Sequence, residues 1–187
     1  MERNDAQLVK DYLEGDETAL SHLVSRYLAS VYNFAYRMTR NKAEADDISA
    51  EVFLKVWKNL KKYNPDQSFK AWILSITRNT AIDHFRKRKA FPFSSLKNEN
   101  METNFEDTIA DTESLPDELF EQKELGVTLE DALSHLSPEN RALILLHLND
   151  DLTFEEIAEQ LGKPMNTIKS QHRRALILLR KFLISEI

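Results

Sequence analysis

LTFEEIAEQLGKPMNTIKSQHRRALILLRKF, residues 152–182, decides how this chain is read. Thr153 and Glu156 are spaced for a capping box, in which each side chain bonds the other's free backbone N–H. Leu152 and Ile157 flank that cap as a hydrophobic staple, and Ile157, Ala158 and Leu161 continue an apolar stripe at helical spacing. Gly162 ends the first helix, because glycine takes the left-handed position after a helix without steric cost. Pro164 blocks its continuation. Asn166 is expected to cap a second helix. Two short helices joined by a tight turn containing Gly form the helix-turn-helix pattern.

The second helix has two unlike faces. At about 100° per residue, Ile168, Ala175, Leu179 and Phe182 fall together, with Ser170, Arg173, Arg174, Arg180 and Lys181 opposite. Lys169 lies on one flank and Thr167 and Gln171 on the other. From Lys163 to Lys181 there are six Lys/Arg and no Asp or Glu. A charge run alone would be an ordinary solvated face. Joined to the cap, the Gly-Lys-Pro turn and the apolar back, it predicts a helix that enters the DNA major groove.

The net charge of −6 runs against that reading, but its distribution does not. Residues 1–97 carry 17 Lys/Arg against 12 Asp/Glu, residues 98–124 one against ten, and residues 125–187 seven against nine. A polyanion is steered by the local field, so a basic first half and a basic last helix serve it. The acidic stretch also breaks the helical periodicity. Pro92, Ser94, Ser95, Asn98, Asn100 and Pro116 interrupt it, and low hydrophobicity with high charge predicts a flexible linker. The expected fold is therefore all-α. An N-terminal helical bundle (1–90) and a C-terminal helix-turn-helix domain (119–187) are joined by an acidic linker (91–118).

Other classes are disfavoured. With no Cys there is no disulfide and no Cys-based metal site, and the five His (22, 84, 135, 147, 172) have no metal-ligand spacing. Asp83-His84 is a lone pair, and no Gly-rich loop is set to cradle a phosphate. No catalytic residue, metal, cofactor or small-molecule substrate is expected. No apolar run reaches membrane-span length, and MERNDAQLVKDYLEGDE lacks the apolar core of a signal peptide. A cytoplasmic protein without membrane insertion is the expectation.

In the N-terminal half, Gly15-Asp16 separates a short helix from an amphipathic one over 20–38, whose aromatics Tyr27, Tyr32, Phe34 and Tyr36 are read mostly as core. Residues 41–60 place Ile48, Val52, Val56 and Leu60 inward with Phe53 beside them. Asp46, Asp47, Glu51, Lys55 and Lys58 face out. Residues 69–90 interleave Phe69, Trp72 and Phe85 with Arg78, Arg86, Lys87, Arg88 and Lys89. Rings that stack on bases and cations that hold phosphates suit single-stranded nucleic acid.

These residues carry a resemblance. Ala45-Asp46-Asp47-Ile48 followed by Glu51-Val52-Phe53-Leu54-Lys55-Val56-Trp57 resembles the polymerase-binding helix of bacterial sigma factors. Phe69, Trp72, Ile73, Ile76, Arg78, Asn79, Asp83 and Arg86 resemble the adjoining promoter-melting region. Leu136-Ser137-Pro138-Glu139 through Leu183 resembles the domain that reads the upstream promoter element. Order, spacing and length are similar to the extracytoplasmic-function (ECF) group of the sigma-70 family, and the resemblance spans nearly the whole chain. Three departures stand out: Ala50 where the family usually has Gln, Gln171 where it has a basic residue, and His172 at a usually aliphatic position. His172 is expected to pack, partly buried. Gln171 keeps the donors and acceptors that adenine needs.

The resemblance implies an alternative sigma factor that binds core RNA polymerase, directs it to promoter DNA, helps open the duplex and performs no covalent chemistry. It implies polymerase binding by Asp46, Asp47, Glu51, Phe53, Lys55 and Trp57. For strand opening it implies a base pocket in the loop 61–69, with Tyr63, Phe69 and Trp72 as rings and Asn64, Ser68 and Asn79 reading base edges. Arg78, Arg86, Lys87 and Arg88 would hold the backbone. For the upstream element it implies Thr167, Lys169, Ser170, Gln171, Arg173 and Arg174, with Arg180 and Lys181 further along. An anti-sigma factor that covers the polymerase-binding surfaces is the expected inhibitor. Two other readings are weighed against this one. A regulator that never touches polymerase would leave residues 41–90 without a role, and an enzyme would need a constellation that the sequence does not offer.

Overall fold

The computed structural model describes residues 3–90 and 126–185. The segment expected to be the linker, and residues 119–125 of the expected C-terminal domain, lie outside the described residues. Within the described residues every regular element is a helix.

Helices α1 (Asp5–Leu13) and α2 (Glu17–Thr39) meet at the Gly15-Asp16 turn, where Gly15 has φ 111° and Asp16 caps α2 by accepting from the Thr18 N–H at 3.0 Å. Arg40 ends α2 in the left-handed conformation and donates its N–H to the Tyr36 carbonyl at 2.7 Å. Asn41 then caps α3 (Lys42–Asn59), accepting from the Ala43 N–H at 3.0 Å. A 3₁₀ turn (Leu60–Lys62) and a short loop lead to α4 (Phe69–Ala90), which Ser68 starts by accepting from the Ala71 N–H at 3.2 Å.

The inward residues of α3 are those that the period implied: Ile48, Val52, Val56 and Leu60 are buried. In α2, Tyr27 and Phe34 are core and Tyr32 is half-buried. Tyr36 is exposed and stacks on Tyr32, with ring centroids 6.3 Å apart. At i and i+4 on one helix those two rings are neighbours, so the outer one is left at the surface.

The C-terminal half is built from α5 (Gly126–Ser134), α6 (Pro138–Ile144), α7 (Phe154–Leu161) and α8 (Met165–Ser185). Ser137 caps α6, accepting from the Asn140 N–H at 3.3 Å, and α6 runs on through a π turn (Leu145–Asn149). This half has a cluster of its own around Ala132, Leu136, Ile144, Ala175 and Leu179. Its remaining buried apolar residues, Leu143, Leu146, Leu152, Ile157 and Ile168 among them, belong to one continuous core with Val31, Phe34, Met38 and Leu74 of the N-terminal half. The halves therefore share apolar packing as well as having separate helical identities. Burial of that apolar surface is what stabilises the arrangement.

Candidate nucleic-acid interface

The capping box forms as the sequence implied. The Glu156 N–H donates to Thr153 Oγ1 at 3.2 Å, and the Thr153 N–H donates to Glu156 Oε2 at 2.9 Å. Leu152 and Ile157 are both buried. Gly162 takes φ 61°, and the Lys163 N–H reaches back to the Ala158 carbonyl at 3.0 Å. One local expectation fails. Asn166 lies inside the first turn of α8 and does not cap it. The Thr167 and Ile168 N–H groups donate to the Pro164 carbonyl at 2.9 and 3.2 Å, so the hydrogen-bond ladder begins two residues early. Proline at the start of a helix has no N–H to leave unsatisfied, and its carbonyl remains available.

Helix α8 presents the two faces read from its period. Ile168, His172, Ala175 and Leu179 are buried, while Thr167, Lys169, Ser170, Arg174 and Lys181 are exposed. Gln171, Arg173 and Arg180 are half-buried at the borders of the open face. Arg174 Nε reaches the Ser170 carbonyl at 3.3 Å, so in this form its guanidinium is drawn along its own helix. His172 has only 7% exposure. Its ring stands edge-on to His147 at 4.9 Å and to Phe154 at 5.1 Å, and His147 stacks on Phe154 at 4.0 Å. Burial, with His147 beside it, lowers the His172 pKa to about 4. It packs as a neutral ring against Phe154 of the first helix of the motif.

On α3 the outward face is acidic and apolar together. Asp46, Asp47 and Glu51 are exposed, and Trp57 is 52% exposed with Nε1 donating to the Tyr12 hydroxyl at 2.7 Å. Phe53 is half-buried against the core. Lys55 points elsewhere: its Nζ bonds Glu51 at 2.7 Å and Thr80 Oγ1 at 3.0 Å, which ties α3 to α4 and lowers the Glu51 pKa. Two residues outside the expected binding set adjoin this face, Leu54 at 55% exposure and the half-buried Tyr12. Leu54 was findable as the apolar residue in the middle of the polar arc. The place of Tyr12 depends on how α1 docks, which no local pattern encodes.

The strand-opening candidates divide. Tyr63 and Phe69 are 7% and 2% exposed, and with Tyr27 and Trp72 they form a ring cluster at centroid distances of 5.1–5.4 Å. The Tyr63 hydroxyl donates to the Gln67 carbonyl at 2.6 Å. These two rings hold the loop from inside, so a base does not reach their faces in this form. Trp72 is half-buried, and Asn64, Asn79, Arg86, Lys87 and Arg88 are exposed. The Asn64 side chain accepts from the Asp66 N–H at 3.1 Å and shapes the loop. Ser68 is engaged as the α4 cap. Arg88 pairs with Glu44 at 2.9 Å. Arg78 is half-buried: burial lowers its pKa, its Nε finds no partner, and Nη1 donates to Asn79 Oδ1 at 2.9 Å.

An exposed acidic-apolar helix, a basic helix behind a short loop and a capped helix-turn-helix follow one another in the order of a bipartite transcription-initiation factor. Two family models match these parts: Sigma-70 region 2 over residues 23–91 and Sigma-70 region 4 over residues 127–179. The chain is 30% identical to the ECF RNA polymerase sigma factor SigW of Bacillus subtilis, with 97% of each chain covered. It is also 30% identical to SigX of the same organism, over 88% of this chain and 84% of that one. Among solved structures, CnrH in complex with the cytosolic domain of CnrY has a similar fold. Its TM-score is 0.70 at 21% identity, over 98% of this chain and 99% of that one. The sigma factor RpoE bound to the anti-sigma factor NepR from Bartonella quintana is similar at TM-score 0.62 and 23% identity, over 87% and 95%. The chain belongs to the ECF sigma factors of the sigma-70 family and acts as an alternative sigma factor in transcription initiation.

Proposed function

We propose that the three surfaces divide the work of a sigma factor among them. The outward face of α3, with Asp46, Asp47, Glu51, Phe53 and Trp57 and with Leu54 added, docks on core RNA polymerase. A charged rim around exposed apolar anchors is how such interfaces are built. Lys55 supports that face by holding Glu51. In the downstream region, Trp72, Asn64 and Asn79 meet unpaired bases, and Arg78, Arg86, Lys87 and Arg88 hold the strand. Tyr63, Phe69 and Ser68 shape the loop that carries Asn64. In the upstream duplex, Thr167, Lys169, Ser170, Gln171, Arg173 and Arg174 enter the major groove, and Arg180 and Lys181 follow the backbone. Residues 1–90 and 119–187 are the two working domains, joined by the acidic stretch 91–118.

The observation that carries this reading is the coincidence on one chain of an exposed acidic-apolar helix and an open, one-signed recognition helix. A DNA-binding regulator has use for the second but not the first. The chain performs no covalent chemistry in this reading and works in the cytoplasm, and an anti-sigma factor is its natural antagonist. Among the described residues no helix is long and apolar enough to cross a membrane. Pull-down with core polymerase, followed by transcription start-site mapping after overexpression, tests the proposal. Capture of core and a set of new start sites sharing two promoter elements are the expected results. DNA binding without capture of core would leave only the regulator.

A further inference from the structure

We propose, given the assignment of Asn64 and Trp72 to unpaired bases made above, that Asp5 of α1 is a positioning residue for downstream strand recognition. By holding the Tyr27 hydroxyl it fixes the ring cluster on which the loop before α4 and Trp72 stand. Tyr27, on α2, is 8% exposed, and a tyrosine buried that far needs a partner for its hydroxyl. The hydroxyl donates to Asp5 Oδ2 at 2.5 Å, the length of a hydrogen bond to a charged acceptor. Burial, and after it this bond, raise the Tyr27 pKa above its usual 10, so the hydroxyl remains a donor at neutral pH. Asp5 is itself held. Arg26 Nη1 bonds Oδ1 of the same carboxylate, and Arg26 Nη2 donates to the Arg3 carbonyl at 2.9 Å. Arg3 reaches Asp11 at 2.9 Å and Asp16 at 2.8 Å, which pins it to both sides of the Gly15-Asp16 turn. With Oδ1 taken by Arg26, the second oxygen of Asp5 is turned to Tyr27.

From Tyr27 the path to the loop runs through rings. The Tyr27 ring meets Phe69, the first residue of α4, at 5.2 Å. Phe69 stands edge-on to Tyr63 at 5.1 Å, and Trp72 lies 5.4 Å from Phe69 and 5.3 Å from Tyr63. Tyr63 and Phe69 bracket the segment that carries Asn64. Within it the Tyr63 hydroxyl donates to the Gln67 carbonyl at 2.6 Å, and the Gln67 N–H donates to the Asn64 carbonyl at 3.0 Å. Both ends of the segment, and Trp72 about one turn into α4, thus take their places from one cluster. Tyr27, Tyr63 and Phe69 are all buried, and a close-packed cluster passes on a displacement of any of its members. Without Asp5 the Tyr27 hydroxyl must turn toward another partner, and its ring carries Phe69 with it. A shift of about 1 Å at Asn64 or Trp72 is enough to spoil a base contact. Asp5 touches no nucleic acid in this scheme and acts only through Tyr27.

The test uses the full chain assembled with core polymerase. Its probe is a fluorescent single strand from just upstream of a mapped start site, together with strands in which each base of that probe is changed in turn. Asp5→Ala removes the acceptor, and Tyr27→Phe removes the donor while keeping the ring. Each is expected to weaken the parent strand about three- to tenfold and to flatten base preference at the same positions that Asn64→Ala or Trp72→Ala flattens. The double variant should lose no more than either single one, because only one bond has been removed. Asp11→Ala is the control: it loosens Arg3 without touching Tyr27, and its strand affinity should stay within about twofold of the parent. Equal weakening of every strand by Asp5→Ala, or a lower thermal midpoint with unchanged preference, would make Asp5 structural only and overturn the proposal. Additive losses in the double variant would overturn it too, as would an Asp11→Ala profile matching that of Asp5→Ala. If Asn64→Ala and Trp72→Ala alter preference at no position, the downstream assignment itself has failed, whatever Asp5→Ala does.

Discussion

His172 stands where the resemblance implied an aliphatic residue, and its burial has a measurable consequence. Its pKa falls from the usual 6.5 to about 4 because burial disfavours the charged ring and His147 lies beside it. The unfolded chain therefore binds more protons than the folded one between those values. The contribution of His172 to stability is complete above pH 6.5 and is lost as pH falls toward 4. The loss is about 2 kcal/mol once discounted for the solvent that still reaches the ring. His172→Leu removes that dependence, and because Nε2 is buried without a partner, it should cost little at pH 7. Urea midpoints at pH 7 and pH 5 decide it: a variant as acid-sensitive as the parent would place the titrating group elsewhere. Arg174 and Arg180 separate reading from holding on the same helix. Arg174→Ala is expected to weaken the cognate upstream duplex by about 1–3 kcal/mol and to relax sequence preference. Arg180→Ala should weaken all duplexes alike and flatten the salt slope by about one phosphate. Gel shifts with cognate and scrambled duplexes at several salt concentrations distinguish the two. Equal losses on both duplexes for Arg174→Ala would make it a positioning contact.

At the scale of elements, most of the fold was legible because each helix carries its own signals. Thr153 with Glu156 and Gly162 bracket α7, and the apolar spacing of Ile48, Val52, Val56 and Leu60 marks the buried face of α3. Thr153→Ala should therefore cost about 1 kcal/mol of C-terminal stability, read as a lower thermal midpoint with an unchanged circular dichroism spectrum at low temperature. What was not legible is where an aromatic goes when two destinations suit it. Tyr63 and Phe69 fit a base pocket by type and spacing, yet they close on Tyr27 and Trp72. The first of those partners is on α2, beyond the reach of any local pattern. Lys55 likewise looks outward on a helical wheel but is drawn to Thr80 on α4. The α3 surface thus keeps Asp46, Asp47, Glu51, Leu54 and Trp57 as its open members. Asp47→Lys reverses a charge on it without touching the core. It should lower core-polymerase affinity about tenfold or more while the spectrum stays native, and unchanged affinity would move the docking face off α3.

For the whole molecule, the contacts that decide its shape join residues about a hundred positions apart, as Arg141 to Met38 and Gln67 to Glu159 do. Period and capping are silent on such pairs, which is why the sequence implied two domains and not the seam between them. Asp150 gives that seam a pH dependence opposite in sign to that of His172. Desolvation by burial raises its carboxyl pKa from the usual 3.8 to about 6, against the lowering pull of Lys70, Asn149 and Arg37 and with a small push from Asp151. A raised carboxyl pKa means that the folded form binds more protons. Its stabilising contribution is complete below 3.8 and is lost as pH rises through 6. Between pH 4 and 6 the two residues oppose each other, so the parent chain should change stability little there. Asp150→Asn removes one slope and should stabilise the folded chain at pH 7 by up to about 3 kcal/mol, leaving a chain that weakens steadily in acid. His172→Leu removes the other slope and should leave a chain that is most stable in acid. Thermal midpoints of both variants and the double variant across pH 4–8 test the pairing. Parallel profiles for Asp150→Asn and the parent would show that this carboxylate is solvated and that the fold does not bury it.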